Sequence, residues 1–161
     1  MQERIKHNMN VSEMVNEKLV NFGYEAKTKD DVIKGLGKMM YDAGKVNDLN
    51  KYIEGLYERE AVFSTGVGNG VAIPHCKSDC VREAAFTLVK LKNSVEWETL
   101  DGRPVDYVIM LAAPNTSDNA HLEMLSKLAA NLMDDDFRET LKGTSTVEEI
   151  KQLFSSKKEE E

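Results

Sequence analysis

Apolar residues recur along this chain with two periods, and the change from one to the other divides it. Val32, Ile33, Leu36, Met39 and Met40 share one face of a helix that opens on Thr28 and Asp31, a capping box with Asp in place of the usual Glu. Gly44 is placed to end it. Leu49, Tyr52, Ile53 and Leu56 repeat the helical spacing behind Asn47 or Asp48 as cap, and this second helix runs into Arg59. Ahead of both, Val11, Val15 and Leu19 line a short helix, and Phe22, Tyr24 and Ala26 alternate as in a strand.

From Val62 onward the character is that of strands. Residues 62–65 and 71–73 are short strand candidates flanking Gly66-Val67-Gly68-Asn69-Gly70. Over residues 84–91, Phe86 and Leu88 fall on one side and Ala85, Thr87, Val89 and Leu91 on the other. Residues 95–97 read as a brief strand before an Asp101-Gly102 turn. Residues 105–113 are nearly all apolar, which predicts a strand buried on both faces. After a loop over 114–118, helical spacing returns. Leu122, Leu125, Leu128, Ala129 and Leu132 point inward from a helix starting near Asp118 or Asn119. Phe137 and Leu141 follow a cap within 134–136, and Val147, Ile150 and Leu153 follow a Thr146/Glu149 capping box. Helices before and after a block of strands predict an α/β or α+β sandwich around a single sheet. Residues 1–10 read as a polar lead-in, 11–154 as the domain, and 155–161 as a charged tail or the start of a linker.

Composition adds limits. A length of 161 residues suits one domain, and 41% hydrophobic with 30% charged residues is the mixture of an ordinary soluble protein. The net charge of −7 argues against nucleic acid and suits a basic protein partner. No apolar run reaches membrane-spanning length and no signal-peptide core is present, so no membrane insertion is expected. With Cys76 and Cys80 as its two cysteines, the chain lacks a disulfide framework and a reducing cytoplasm is the expected compartment.

The chemistry concentrates between Glu58 and His75. Pro74 fixes its own φ and pushes Ile73 toward extended geometry, so the backbone entering His75 is stiff. The glycines just before it let amide N–H groups approach a ligand closely. Neutral imidazole, with an ordinary pKa of about 6.5, attacks phosphorus without first losing a proton. His121 falls in the first turn of its helix, where the dipole favours neutral imidazole and attracts an anion; the plain alternative is a polar residue at a helix start. Arg59 is either a solvated cation at a helix end or a guanidinium fork for phosphoryl oxygens. Glu58 and Glu60 either solvate that helix end, or one of them orients Arg59 or meets a basic partner; the sequence does not choose. The glycine run is not a dinucleotide fingerprint, no P-loop or G-x-S-x-G elbow occurs, and His75, Cys76 and Cys80 lack a second ligand pair for zinc.

Taken together, these residues resemble the enzyme IIA domains of the bacterial sugar phosphotransferase system, in the fructose/mannitol family. The resemblance rests on Thr28-Lys29-Asp30-Asp31-Val32-Ile33, on Arg59-Glu60, and on Ser64-Thr65-Gly66-Val67-Gly68-Asn69-Gly70-Val71-Ala72-Ile73-Pro74-His75. It continues through Glu96-Trp97-Glu98, Leu100-Asp101-Gly102, Pro104-Val105, Pro114 and His121-Leu122. It implies a single mixed sheet flanked by helices on both faces. It implies that His75 is phosphorylated, through Nε2, by the phosphocarrier HPr and passes the group to a cysteine of an enzyme IIB domain. Arg59 and His121 would flank the phosphohistidine, with no metal or cofactor at this step. The segment from Glu96 to Val105 looks most like fructose-type domains; nitrogen-type regulatory relatives, which share the His75 block, are the alternative. The family usually has glycine where this chain has Cys76, which either alters access and oxidation sensitivity or is a tolerated small residue.

Overall fold

In this computed structural model, residues 11–115 and 119–159 are described. The chain runs β1 (Val20–Tyr24), α1 (Lys29–Asp42), α2 (Leu49–Val62), β2 (Gly66–Gly68), β3 (Val71–Ala72), β4 (His75–Ser78) and β5 (Ala85–Val95). It continues with β6 (Val105–Pro114), α3 (Asn119–Leu132), α4 (Asp135–Lys142) and α5 (Val147–Glu159).

The caps act where the sequence places them. Thr28 Oγ1 accepts from the Asp31 N–H at 3.0 Å while the Asp31 carboxylate accepts from the Thr28 N–H at 3.3 Å, closing the box on α1. Asp48 accepts from the Lys51 N–H at 3.1 Å to start α2, and Thr146 from the Glu149 N–H at 3.1 Å to start α5. Gly44, at φ +79°, turns the chain out of α1.

The strands form one mixed sheet in the order β1-β5-β6-β3-β2, with β4 also on β6. β5 and β6 are antiparallel, with Phe86 opposite Leu111 and Val89 opposite Val108. β1 lies parallel to β5, and β3 and β4 lie parallel to β6. Each face of the sheet has its own core. Ala85, Val89, Leu91, Val108 and Met110 pack on one side with Val32, Ile33, Leu36 and Met40 of α1 and Tyr52 and Leu56 of α2. Phe86, Leu88, Tyr107, Ile109 and Leu111 pack on the other with Leu125, Leu128, Leu132, Phe137, Leu141 and Ile150. The alternation read over 84–91 and the two-faced burial of 105–113 both hold, and helices cover both faces.

Several local expectations change, and of the brief strand expected at 95–97 only Val95 is in a strand, as the last residue of β5. The short helix drawn through Val11, Val15 and Leu19 is two 3-10 turns, Val11–Met14 and Glu17–Leu19. Asn16 separates them: its side chain accepts from the Lys18 N–H at 2.9 Å, a local bond that competes with a continuous helix. The expected strand at 62–65 is absent, because Val62 still belongs to α2 and the strand begins at Gly66. The glycine run is itself a hairpin, turning at Asn69 (φ +57°) and Gly70 (φ +77°), the paired positive φ of a tight β-turn. Finally, α5 runs to Glu159, past the last residue that the apolar spacing assigns to a helix, and its Phe154 stacks on Phe137 and meets Phe86 edge to face.

Candidate functional site

β6 carries two short parallel partners end to end: β3 beside Tyr107 and Val108, and β4 from Leu111 to Pro114. Ile73-Pro74 is the joint between them. Proline has no N–H to give the ladder, so the strand breaks there, while the Pro74 carbonyl still accepts from the Leu111 N–H at 3.0 Å. His75 opens β4 just past this joint and is half-buried. Its Nδ1 lies 2.8 Å from the Ile73 carbonyl oxygen. A carbonyl only accepts, so Nδ1 carries a proton, and in the neutral ring it is Nε2 that keeps the lone pair. That nucleophilic nitrogen is the one not engaged by the Ile73 carbonyl.

Ile73 belongs to the core under α3–α5 and Cys76 to the core under α1 and α2, so strand alternation turns His75 to the α3 side. α3 starts soon after β6 ends, and His121 lies in its first turn. The His121 side chain falls outside the described residues.

Arg59 comes from the other side. α2 crosses β4, with the Tyr52 hydroxyl donating to the Leu111 carbonyl at 3.2 Å and Gly55 set against the Cys76 sulfur. Arg59 follows Gly55 by one turn on the same stripe. Its Nη1 donates to the Phe63 carbonyl at 2.7 Å, closing the end of its own helix. Among the described residues no hydrogen bond joins Arg59 to His75.

The glycine turn does not sit beside the imidazole. Its tip pairs with the start of β6, where the Gly70 carbonyl accepts from Asp106 and Tyr107, whereas His75 pairs at Leu111. That separation is roughly 15 Å along the strand. The tip is held by protein groups. Asp101 accepts from the Asn69 N–H at 2.9 Å, and Arg138, itself buried in α4, donates to the Asn69 side chain at 3.3 Å. The Asn69 N–H, followed by that of Arg103, holds the Asp101 carboxyl below its ordinary pKa. The glycines therefore build a hairpin, and the close N–H approach to a ligand at His75 expected of them is not found.

What the sequence left open is Glu60. Its side chain is 6% exposed and accepts from four donors. These are the Thr65 N–H (3.0 Å), the Thr65 hydroxyl (2.8 Å), the Trp97 Nε1–H (3.1 Å) and the Lys29 ammonium (3.0 Å), while the Ser64 hydroxyl, 3.3 Å away, gives its one proton to the Glu98 carbonyl at 2.5 Å. Lys29 also lies 5.1 Å from the Trp97 ring centre. Burial alone would raise the Glu60 pKa; the two Thr65 bonds and Lys29 outweigh it and hold the carboxyl below its ordinary value. One signal was present in the sequence: an acid in the last turn of a helix opposes the dipole, so it needs a specific partner.

Cys76 is buried under α2. Burial, then Cys80 and Glu58, push its thiol up to about 11. The thiol stays protonated near neutral pH and packs as a small apolar group. Among the described residues no three His, Cys, Asp or Glu side chains group as a metal site requires.

The family model described as "Phosphoenolpyruvate-dependent sugar phosphotransferase system, EIIA 2" matches residues 13–157. The chain belongs to this family. The fructose-specific EIIABC component of Bacillus subtilis (strain 168) is 38% identical over 133 residues, covering 83% of this EIIA domain and 21% of that protein. The chain thus spans about a fifth of that relative's length. A nitrogen regulatory protein of Pseudomonas aeruginosa is 37% identical over 106 residues, 66% of this chain and 69% of its own length. Among solved structures, the nitrogen regulatory protein IIA-Ntr of Neisseria meningitidis superposes with a TM-score of 0.76 at 28% identity, covering 89% of this EIIA domain and 98% of that chain. Among the described residues no helix is long and apolar enough to cross a membrane.

Proposed function

We propose that this EIIA domain is a phosphohistidine carrier. His75 Nε2 attacks the phosphorus of phospho-HPr, a nitrogen–phosphorus bond forms as the bond to the HPr histidine breaks, and a cysteine thiolate of an enzyme IIB domain then takes the group. The observation that carries this is the Nδ1–H bond to the Ile73 carbonyl, which leaves the lone pair on Nε2 and requires no proton transfer in the step. Transfer between two side chains is mostly positioning and charge stabilisation. Arg59, with donors beyond the one given to Phe63, and His121 at the start of α3 would receive the charge of the phosphoryl oxygens.

Service to a fructose-type transporter is favoured, because the fructose-specific relative matches 83% of the chain and the nitrogen regulatory relative 66% at similar identity. A regulatory role, with partner binding set by phosphorylation state, is the second reading, supported by the fit to the Neisseria meningitidis protein. Incubation with phosphoenolpyruvate, enzyme I and HPr should give an acid-labile phosphoryl adduct. Absence of the adduct, or its survival in His75→Ala, overturns the assignment. Onward transfer to purified IIB domains separates the two readings.

A further inference from the structure

A buried carboxylate heads a hydrogen-bond path that ends on the His75 ring. Glu60 grips Thr65 twice, through Oε2 to its N–H and Oε1 to its hydroxyl. The Thr65 carbonyl accepts from the Ile73 N–H at 3.0 Å. The Ile73 carbonyl, two atoms further along the same residue, is the one that accepts from His75 Nδ1. Trp97 and Lys29 hold the same carboxylate at Oε2, the oxygen that the Thr65 N–H also reaches. Pro74 restricts Ile73 from the C-terminal direction, so that Ile73 is pinned on both flanks.

We infer that Glu60 is a positioning residue for His75: through Thr65 and Ile73 it fixes the carbonyl that holds the Nδ1 proton, and with it the tautomer that exposes the Nε2 lone pair. Free neutral histidine prefers its proton on Nε2, so the reactive tautomer must be held by a well-placed acceptor at Nδ1. A carbonyl free to swing would let the ring return to the unreactive form. The plainer role, a staple between α2 and the sheet, predicts a loss of stability with no change at the ring. The link to catalysis rests on the carrier reading above, but the tautomer belongs to the unphosphorylated protein and is read without any phosphoryl group.

The test is nitrogen-15 NMR of the histidine rings in the full chain, above the imidazole titration, with the His75 signals assigned by their loss in His75→Ala. The wild type should show a protonated Nδ1 and an unprotonated Nε2. Glu60→Gln should draw the two nitrogen shifts together as the second tautomer becomes populated, and slow phosphoryl acceptance roughly ten- to hundredfold. Tyr57→Phe is the control, because it removes a 2.7 Å bond from α2 to Asp30 of α1 without touching this path; it should lower stability and leave the ring shifts in place. Should Glu60→Gln not fold, Glu60→Asp keeps the charge, shortens the reach by one methylene, and is judged by the same shifts. Wild-type ring shifts in the folded Glu60 variant overturn the inference and leave the carrier reading standing. A wild type that never accepts phosphoryl removes the carrier reading and leaves the ring measurement valid.

Discussion

Gly55 of α2 and Cys76 of β4 share one space: a Cβ built on Gly55 would overlap the Cys76 sulfur. The Cys76 side chain, next after His75, is thus accommodated by a glycine in the helix above it. Alanine is the better helix former by about 1 kcal/mol, so Gly55→Ala with no overlap should stabilise α2. With the overlap, overpacking of about 1–3 kcal/mol should win and the variant should lose stability. Adding Cys76→Gly should then recover part of the loss, and urea midpoints of the two singles and the double measure the coupling. Additive effects would show that the two positions do not compete.

The same burial bears on oxidation. A thiol at about 11 is roughly one-thousandth thiolate at pH 8, and Cys76 is covered by α2. Iodoacetamide should modify it far more slowly in the folded than in the urea-unfolded protein, and mild peroxide should leave phosphoryl acceptance unchanged. Rapid labelling of folded Cys76 would restore the oxidation-sensitive alternative that its position beside His75 raised.

Much of this fold is legible in the sequence because most of it is local or periodic. Thr28, Asp48 and Thr146 cap where their spacing says, since a cap needs only its own first turn. Phe86 and Leu88 face one core and Val89 and Leu91 the other, as strand alternation requires. The hairpin tip is not legible, because open glycine backbone looks alike whether it cradles a ligand or turns a chain. The distinction lies with Asp101 and Arg138, 32 and 69 residues from Asn69. His75 stood out through Pro74, an effect between neighbours. Glu60 did not, because its role is assembled from Lys29, Thr65 and Trp97, which only the folded sheet brings together.

Arg59→Lys tests the guanidinium separately from the charge. Lysine can still meet the Phe63 carbonyl at the helix end, so stability should change by less than about 1 kcal/mol. The planar fork is lost, and phosphoryl transfer should slow by about tenfold or more if it meets the phosphoryl oxygens. A wild-type rate in quenched-flow transfer from phospho-HPr would confine Arg59 to closing α2.

The charge of −7 leads to a kinetic expectation for the proposed HPr encounter. If basic groups on HPr are drawn to this domain, the association rate should fall as salt rises from low to physiological strength, with a smaller change in dissociation. Stopped-flow rates independent of salt would remove steering.

Glu60 also links stability to pH. Its folded pKa lies below the ordinary carboxylate value of 4.5, so the folded protein releases this proton more readily than the unfolded chain. The unfolded state therefore binds more protons in the window between the two values, and stability rises with pH there. The contribution is fully present above 4.5 and is lost as pH falls through the folded value. At pH 7, Glu60→Gln should be less stable by about 1–3 kcal/mol, since glutamine cannot satisfy all four donors or the Lys29 charge. As pH falls below 4.5 the wild type should lose its advantage and the two urea midpoints should converge. The other carboxylates titrate alike in both proteins, so the difference between the curves isolates Glu60. A gap that stayed constant from pH 7 into the acid range would mean that the shape of the side chain, and not its charge, holds Thr65.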